Sequence, residues 1–189
     1  MAIVLYLGKD VKSYKANSKE KIEEYLNEGR IRCDLCAQPT TRHSSYMRGI
    51  KETGERIELI VVYCRACNNF HALLPDFILP HKQYSGNEIE SVIIDSATQS
   101  TLEIDTAASE STVRRWIRQI GDRVKMAVSV LKYLYMQMGR IISETRIETG
   151  NAYGELEQLL SMAPEETRYT NNFGLANIWL GKHSRKSLI

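Results

Sequence analysis

The stretch from Cys33 to Cys67, CDLCAQPTTRHSSYMRGIKETGERIELIVVYCRAC, holds all four cysteines of the chain in two Cys-x-x-Cys pairs. Such a turn lets two sulfurs reach one ion while its backbone N–H groups soften the thiolate charge, and two turns complete a tetrahedral shell. The 27 residues between the pairs are enough for a hairpin to leave the first turn and return the second beside it. Thr41 to Ile50 and Arg56 to Tyr63 read as its strands, around the glycine-containing turn Glu52-Thr-Gly-Glu55. The stretch therefore predicts a zinc ribbon in which Cys33, Cys36, Cys64 and Cys67 hold one structural Zn2+ ion, with no position open to water or substrate. A redox pair needs only one Cys-x-x-Cys, at a helix start, and leaves the second unexplained. His43 and His71 lie near the pairs in sequence, but four thiolates already fill the shell, so both read as surface residues or as partners of the ligands.

N-terminal to the ribbon, residues 3 to 7 (Ile-Val-Leu-Tyr-Leu) read as a short buried strand, and Ser18 to Asn27 as a helix closed by Gly29. C-terminal to it, Leu73-Leu-Pro-Asp-Phe-Ile-Leu-Pro80 has prolines that bias their predecessors away from helix, giving an extended apolar connector packed between modules. Ser85-Gly-Asn-Glu88 is a capping-box pattern that starts a helix, and Ser100-Thr-Leu-Glu103 repeats it before a shorter helix ending near Ala107. Ser109 caps a third, with Val113, Trp116, Ile117 and Ile120 at i, i+3, i+4 and i+7. Beyond Gly121 come an amphipathic segment from Asp122 to Ile147, a helix from Ala152 to Met162, the Pro164 break and an apolar stretch from Phe173 to Leu180. The organisation expected is a cap over 1–30, the ribbon over 31–72, the connector over 73–84, a helix-turn-helix over 85–121 and a helical region over 122–189. The class is α+β, mostly helical.

Composition sets the outer bounds. Of 189 residues 43% are hydrophobic and 25% charged, the balance of a globular protein rather than a disordered or fibrous one. No apolar run reaches the 18 or more residues of a membrane span, and Met1 to Leu7 lacks the length and basic flank of a signal peptide, so a cytoplasmic protein is expected. Paired thiols in a reducing compartment fit metal ligation. The formal net charge is only +2, but its distribution is uneven. Six acids and no base lie between Ser85 and Ser111, whereas Thr112 to Lys125 holds five bases against Asp122.

Winding that basic segment at 100° per residue puts Val113, Trp116, Ile117 and Ile120 on one side and Ser111, Arg115 and Arg118 on the other, flanked by Thr112 and Arg114. Arginine can bridge guanine O6 and N7, and hydroxyls near a helix start can anchor phosphate, so these five residues are candidate contacts to double-stranded DNA. The alternative is a three-helix packing unit whose arginines are a solvated face. The turn Ala108-Ser109 lacks the glycine often found in a helix-turn-helix.

CDLC at 33–36, His43 with Tyr46 and Arg48, CRAC at 64–67, LLPDFILP at 73–80, Tyr84-Ser85 and STVRRW at 111–116 together resemble a family of short, uncharacterised bacterial zinc-ribbon proteins. That family shares its N-terminal plan with insertion-sequence transposases. The resemblance spans roughly residues 30 to 120 and implies a ribbon followed by a DNA-binding helix-turn-helix. A transposase would also need a catalytic domain placing three carboxylates around two metal ions, and only 73 residues follow Trp116. Glu144, Glu148, Glu155 and Glu157 are spaced as helix-surface charges, and no Ser/His/Asp order or phosphate-cradling glycine loop is present.

The expectation is therefore a non-enzymatic, zinc-stabilised, sequence-specific DNA-binding protein, either a transposase-related accessory factor of a mobile element or a transcription regulator. The alternative is a protein-interaction module whose C-terminal helices bind a partner, such as a recombinase or a second copy in a homodimer. The apolar Val124 to Met138 run reads first as core and second as such an interface. The basic tail, Lys182, His183, Arg185 and Lys186, reads as solvated or as touching phosphate.

Overall fold

The computed structural model describes residues 2–96, 103–137, 152–162, 172–174 and 176. Its elements are β1 (Ala2–Leu5), α1 (Val11–Asn27), β2 (Thr41–Gly49), β3 (Arg56–Cys64), β4 (Asn69–Pro75), α2 (Gly86–Asp95), α3 (Glu110–Gln137) and α4 (Ala152–Ser161). The β-branched run Ile60-Val-Val62 lies within β3, which pairs antiparallel with β2 across the Gly54 turn and with β4 on its other side. β1 completes the sheet by pairing parallel with β4, in the order β1-β4-β3-β2. The expected hairpin between the cysteine pairs is thus present, as two strands of a larger sheet that also takes in the N-terminal strand.

Two parts of this sheet differ from the sequence expectation. The connector expected over 73–80 is extended only to Pro75, and its first three residues form the end of β4, where Leu73, Leu74 and Pro75 lie opposite Ile3, Val4 and Leu5 of β1. Proline is tolerated there because it is the last residue of the strand, where the ladder no longer needs its missing N–H. Beyond it the chain turns, with the Ile78 N–H donating to Pro75 O at 2.9 Å. Helix α1 starts at Val11 rather than Ser18, capped by Asp10, whose Oδ1 accepts from the Ser13 N–H at 2.7 Å while the Asp10 N–H donates to Ser13 Oγ at 3.1 Å.

Apolar residues divide between two cores. Leu7, Tyr14, Ile22, Ile31, Ile60, Val62 and Leu73 bury α1 against the sheet, with the Tyr14 hydroxyl donating to Glu58 O at 2.7 Å. Trp116, Ile120, Val124, Leu131 and Tyr135 of α3 pack with Ile89 and Val92 of α2, Leu156, Leu159 and Leu160 of α4, and Phe173. The cores meet within two residues of the 73–80 segment: Ile78 belongs to the first and Leu79 to the second.

The hairpin is tied to this joint. The Ser85 N–H donates to Glu52 Oε1 at 2.7 Å, the Lys51 N–H to Gln83 O at 2.8 Å, and Arg48 donates to Leu79 O at 2.9 Å and to Lys82 O. The segment after β4 is thus held against the hairpin, and only Leu73, Leu74 and Pro75 of the expected connector are strand.

The helical region departs further from expectation. Ser85 caps α2 by accepting from the Glu88 N–H at 3.2 Å, but Glu88 Oε1 accepts from Thr106 Oγ1 at 2.5 Å and the Ala107 N–H at 3.0 Å instead of completing the capping box. Glu103 to Ala107 contain no helix, and Ser100, Thr101 and Leu102 lie outside the described residues, so the short middle helix expected before Ala107 is not found. Gly121 does not end α3, which runs unbroken from Glu110 to Gln137. The described part is therefore α+β, but α2 and α3 are joined by a long connection rather than a tight turn.

Of the C-terminal segments, α4 matches expectation. The part of the amphipathic segment beyond Gln137, Glu144 and Glu148, the Pro164 break, most of the 173–180 stretch and the basic tail lie outside the described residues. No helix among the described residues is long and apolar enough to cross a membrane.

Candidate metal centre

The first Cys-x-x-Cys turn follows Ile31, whose carbonyl accepts from the Thr40 N–H at 3.3 Å and from Thr40 Oγ1 at 2.9 Å, and the second joins β3 to β4. Each turn is followed by a residue in the left-handed region, Ala37 at φ 58° and Asn68 at φ 55°. Within the first turn the Ala37 N–H donates to Cys33 O at 2.8 Å and the Leu35 N–H points at Cys33 Sγ, 3.4 Å away.

Pairing of β2 with β3, which sets Thr41 opposite Tyr63, brings the two turns together. Cys33 Sγ lies 3.4 Å from Cys67 Sγ and Cys36 Sγ lies 3.5 Å from Cys64 Sγ. All four sulfurs fall within 4.8 Å of one another, with Cys33 and Cys64 buried and Cys36 and Cys67 half-buried. A tetrahedral shell with metal–sulfur bonds of about 2.3 Å has sulfur–sulfur edges of about 3.8 Å, so the residues present fit a four-thiolate metal site.

Thiol energetics agree with that use. Burial pushes the Cys64 thiol up, but the Cys67 and Ala66 amides and the sulfurs of Cys36 and Cys67 bring it down to about 7, whereas burial drives Cys67 up to about 12. Four thiols so close cannot all ionise without a cation among them.

His71 and Asp34 stand behind Cys33. His71 is fully buried, its Nε2 lies 3.3 Å from Cys33 Sγ, and its Nδ1 lies 2.9 Å from Asp34 Oδ1. The latter contact is off the N–H direction, so it is an electrostatic contact rather than a formed hydrogen bond. Burial depresses the His71 pKa, and the Asp34 carboxylate partly offsets this. Cys33, Asp34 and His71 form a second group whose donor atoms converge. His43, by contrast, is on the surface with Phe70 and Tyr63, at ring-centroid distances of 4.7 and 6.2 Å.

The five candidate DNA contacts all lie in the first turns of α3, but their surroundings differ. Ser109 starts the helix, its carbonyl accepting from the Val113 N–H at 3.0 Å, and its hydroxyl takes up those of Ser111 and Thr112 at 3.2 and 3.0 Å. Arg114 donates from Nε to Glu110 Oε1 at 3.0 Å. Arg115 and Arg118 are exposed and, among the described residues, form no ion pair. Glu155, weighed above as a candidate catalytic acid, pairs with Lys132.

Asp34 and Lys82 were missed from sequence. An acid inside Cys-x-x-Cys could have drawn attention to Asp34, whereas nothing local marks Lys82, which only the fold brings to α3.

A family described as a domain of unknown function, DUF6431, matches the chain over residues 10–116, from the cap of α1 to Trp116. No curated protein and no solved structure matches it.

Proposed function

The chain belongs to the DUF6431 family, a domain of unknown function, so its own residues must carry the functional argument, and from them we propose a zinc-stabilised DNA-binding protein. Zinc is the metal because it is at home in a closed tetrahedral shell of four thiolates, and its task is structural because that shell leaves no open position. The working surface is the outer side of α3. Its role is that of an accessory factor of a mobile element or a transcription regulator, without chemistry of its own.

The observation that supports this best is the pair of exposed arginines, Arg115 and Arg118, which have no ion-pair partner among the described residues and lie opposite the buried Val113, Trp116 and Ile120. A solvated helix face gains by mixing signs, as Arg114 with Glu110 does. Arginines left without carboxylates on a rigid helix suit phosphate oxygens and guanine edges. Because Glu103 to Ala107 form no helix and α3 runs on to Gln137, the element offered to a groove is a single long helix rather than one half of a tight helix-turn-helix.

Binding to duplex DNA over a salt series tests the proposal. The native protein should show log K falling linearly with log salt, and Arg115→Ala and Arg118→Ala should each weaken binding, by about 1–3 kcal/mol where the arginine reads a base. Unchanged binding in both variants would remove the role of α3.

The rival protein-interaction reading draws on Tyr133 and Met136 of α3, exposed at 61% and 68%. It predicts association insensitive to salt and to both arginine substitutions.

A further inference from the structure

Lys82 belongs to two surfaces at once. It lines a groove of about 710 Å³ at the turn end of the β2–β3 hairpin, together with Arg48, Lys51 and His81. The acid in that lining, Glu55, is taken by Lys15 at 3.0 Å. On its other side the Lys82 ammonium donates to Gln119 Oε1 on α3 at 3.4 Å, and Arg115 and Arg123 stand one helical turn to either side of Gln119. Burial, and then repulsion from those two arginines, pushes its pKa down.

Among the described residues no carboxylate pairs with Lys82, Arg115 or Arg123. Three cations gathered without an acid are destabilising unless an anion joins them. The arrangement is also held in place. Arg48 binds the Lys82 carbonyl, and the Lys51 N–H binds that of Gln83, so the segment carrying Lys82 is fixed to the sheet before anything arrives.

We propose that Lys82, Arg115 and Arg123 form a seat for a backbone phosphate of duplex DNA, so that the sheet unit supplies a contact of its own beside α3. The inference rests on the DNA-binding reading above and gives the cysteine-held sheet a direct part in it. Gln119, one turn beyond Arg115 and one before Arg123, donates its amide N–H to the same phosphate while its oxygen keeps Lys82 turned inward. The seat contacts no base and adds affinity without sequence preference.

The test uses the full-length, metal-loaded protein and a short duplex of arbitrary sequence over a salt series. Lys82→Ala and Arg123→Ala should each weaken binding several-fold at low salt and reduce the slope of log K against log salt by about 1. Lys82→Arg should keep the native slope. Thermal unfolding midpoints equal to native show that each variant is folded, and Lys19→Ala, at an exposed position of α1 paired with Glu58, serves as a control for the loss of one surface charge outside the seat. If the native protein binds duplex but both alanine variants keep its slope, the seat is overturned and the DNA reading stands. If the native protein does not bind duplex, or shows a salt slope only with single-stranded RNA, both fall together.

Discussion

Glu90 is buried at 8% exposure in the helical core, where its two carboxylate oxygens join segments far apart in the chain. Oε1 accepts from the Tyr153 hydroxyl at 2.6 Å and Oε2 from the Phe173 N–H at 3.1 Å. Burial raises its pKa despite these donors. A carboxyl with a raised folded-state pKa contributes stability that is fully present below its unfolded value, near 4.5, and lost as pH rises through the folded one. Glu90→Gln should remove that dependence. The difference in unfolding free energy between variant and native protein should therefore shift in favour of the variant as pH rises from 4 to neutrality, read from denaturant midpoints at each pH. A pH-independent difference would show that Glu90 titrates as it does in the unfolded chain. At this scale the four cysteines were legible because ligand spacing is local. The approach of His71 to Cys33 was not, because it depends on strand register. His71 lies opposite Val62 and Phe70 opposite Tyr63, so the two neighbours face opposite sides of the sheet and only one meets the cysteines.

Helix α3 outlasts its own weak point. Glycine inside a helix costs about 1 kcal/mol relative to alanine, yet Gly121 lies beside a buried stripe that runs through Ile120 and Val124 and continues from Val113 to Tyr135. Burying that stripe outweighs one glycine. A Cβ added at Gly121 would meet nothing within 4 Å, so Gly121→Ala should stabilise the protein by about 0.5–1 kcal/mol, measured by chemical denaturation. Loss of stability would mean that a bend at this position matters. The same competition explains which elements the sequence left unread. Proline in Leu73-Leu-Pro75 hid a strand because its pairing partner, β1, lies about 70 residues away in the chain and leaves no local signal. The capping signature at Ser100 suggested a helix, but Glu103 to Ala107 are drawn instead onto Glu88 through Thr106 and the Ala107 N–H. The hairpin, α4 and the buried face of α3 were legible because their period and turn residues agree with the tertiary result.

Across the molecule, the cysteine cluster fastens the chain before β2 to the turn between β3 and β4, while the helical core is assembled separately around Trp116. Metal removal should therefore act first on the sheet unit. A chelator under reducing conditions should lower the unfolding midpoint of the native protein. Cys64→Ser should start from a lowered midpoint, show little further response, and retain well below the roughly one equivalent of zinc expected for a four-thiolate site. A well-folded native protein with no metal by elemental analysis would overturn the metal centre.

The parallel pairing of β1 with β4 has a further consequence in the order of synthesis. Ala2 meets Ala72 and Leu5 meets Pro75, so about 70 residues must be made before the first strand gains its neighbour. At about 5–20 residues per second this takes several seconds, during which Ile3, Val4 and Leu5 have no strand to pair with. Cys33 and Cys36 are made in that interval, and Cys64 and Cys67 only at its close. Assembly of the four-thiol cluster and closure of the sheet therefore fall at the same moment in the life of the nascent chain.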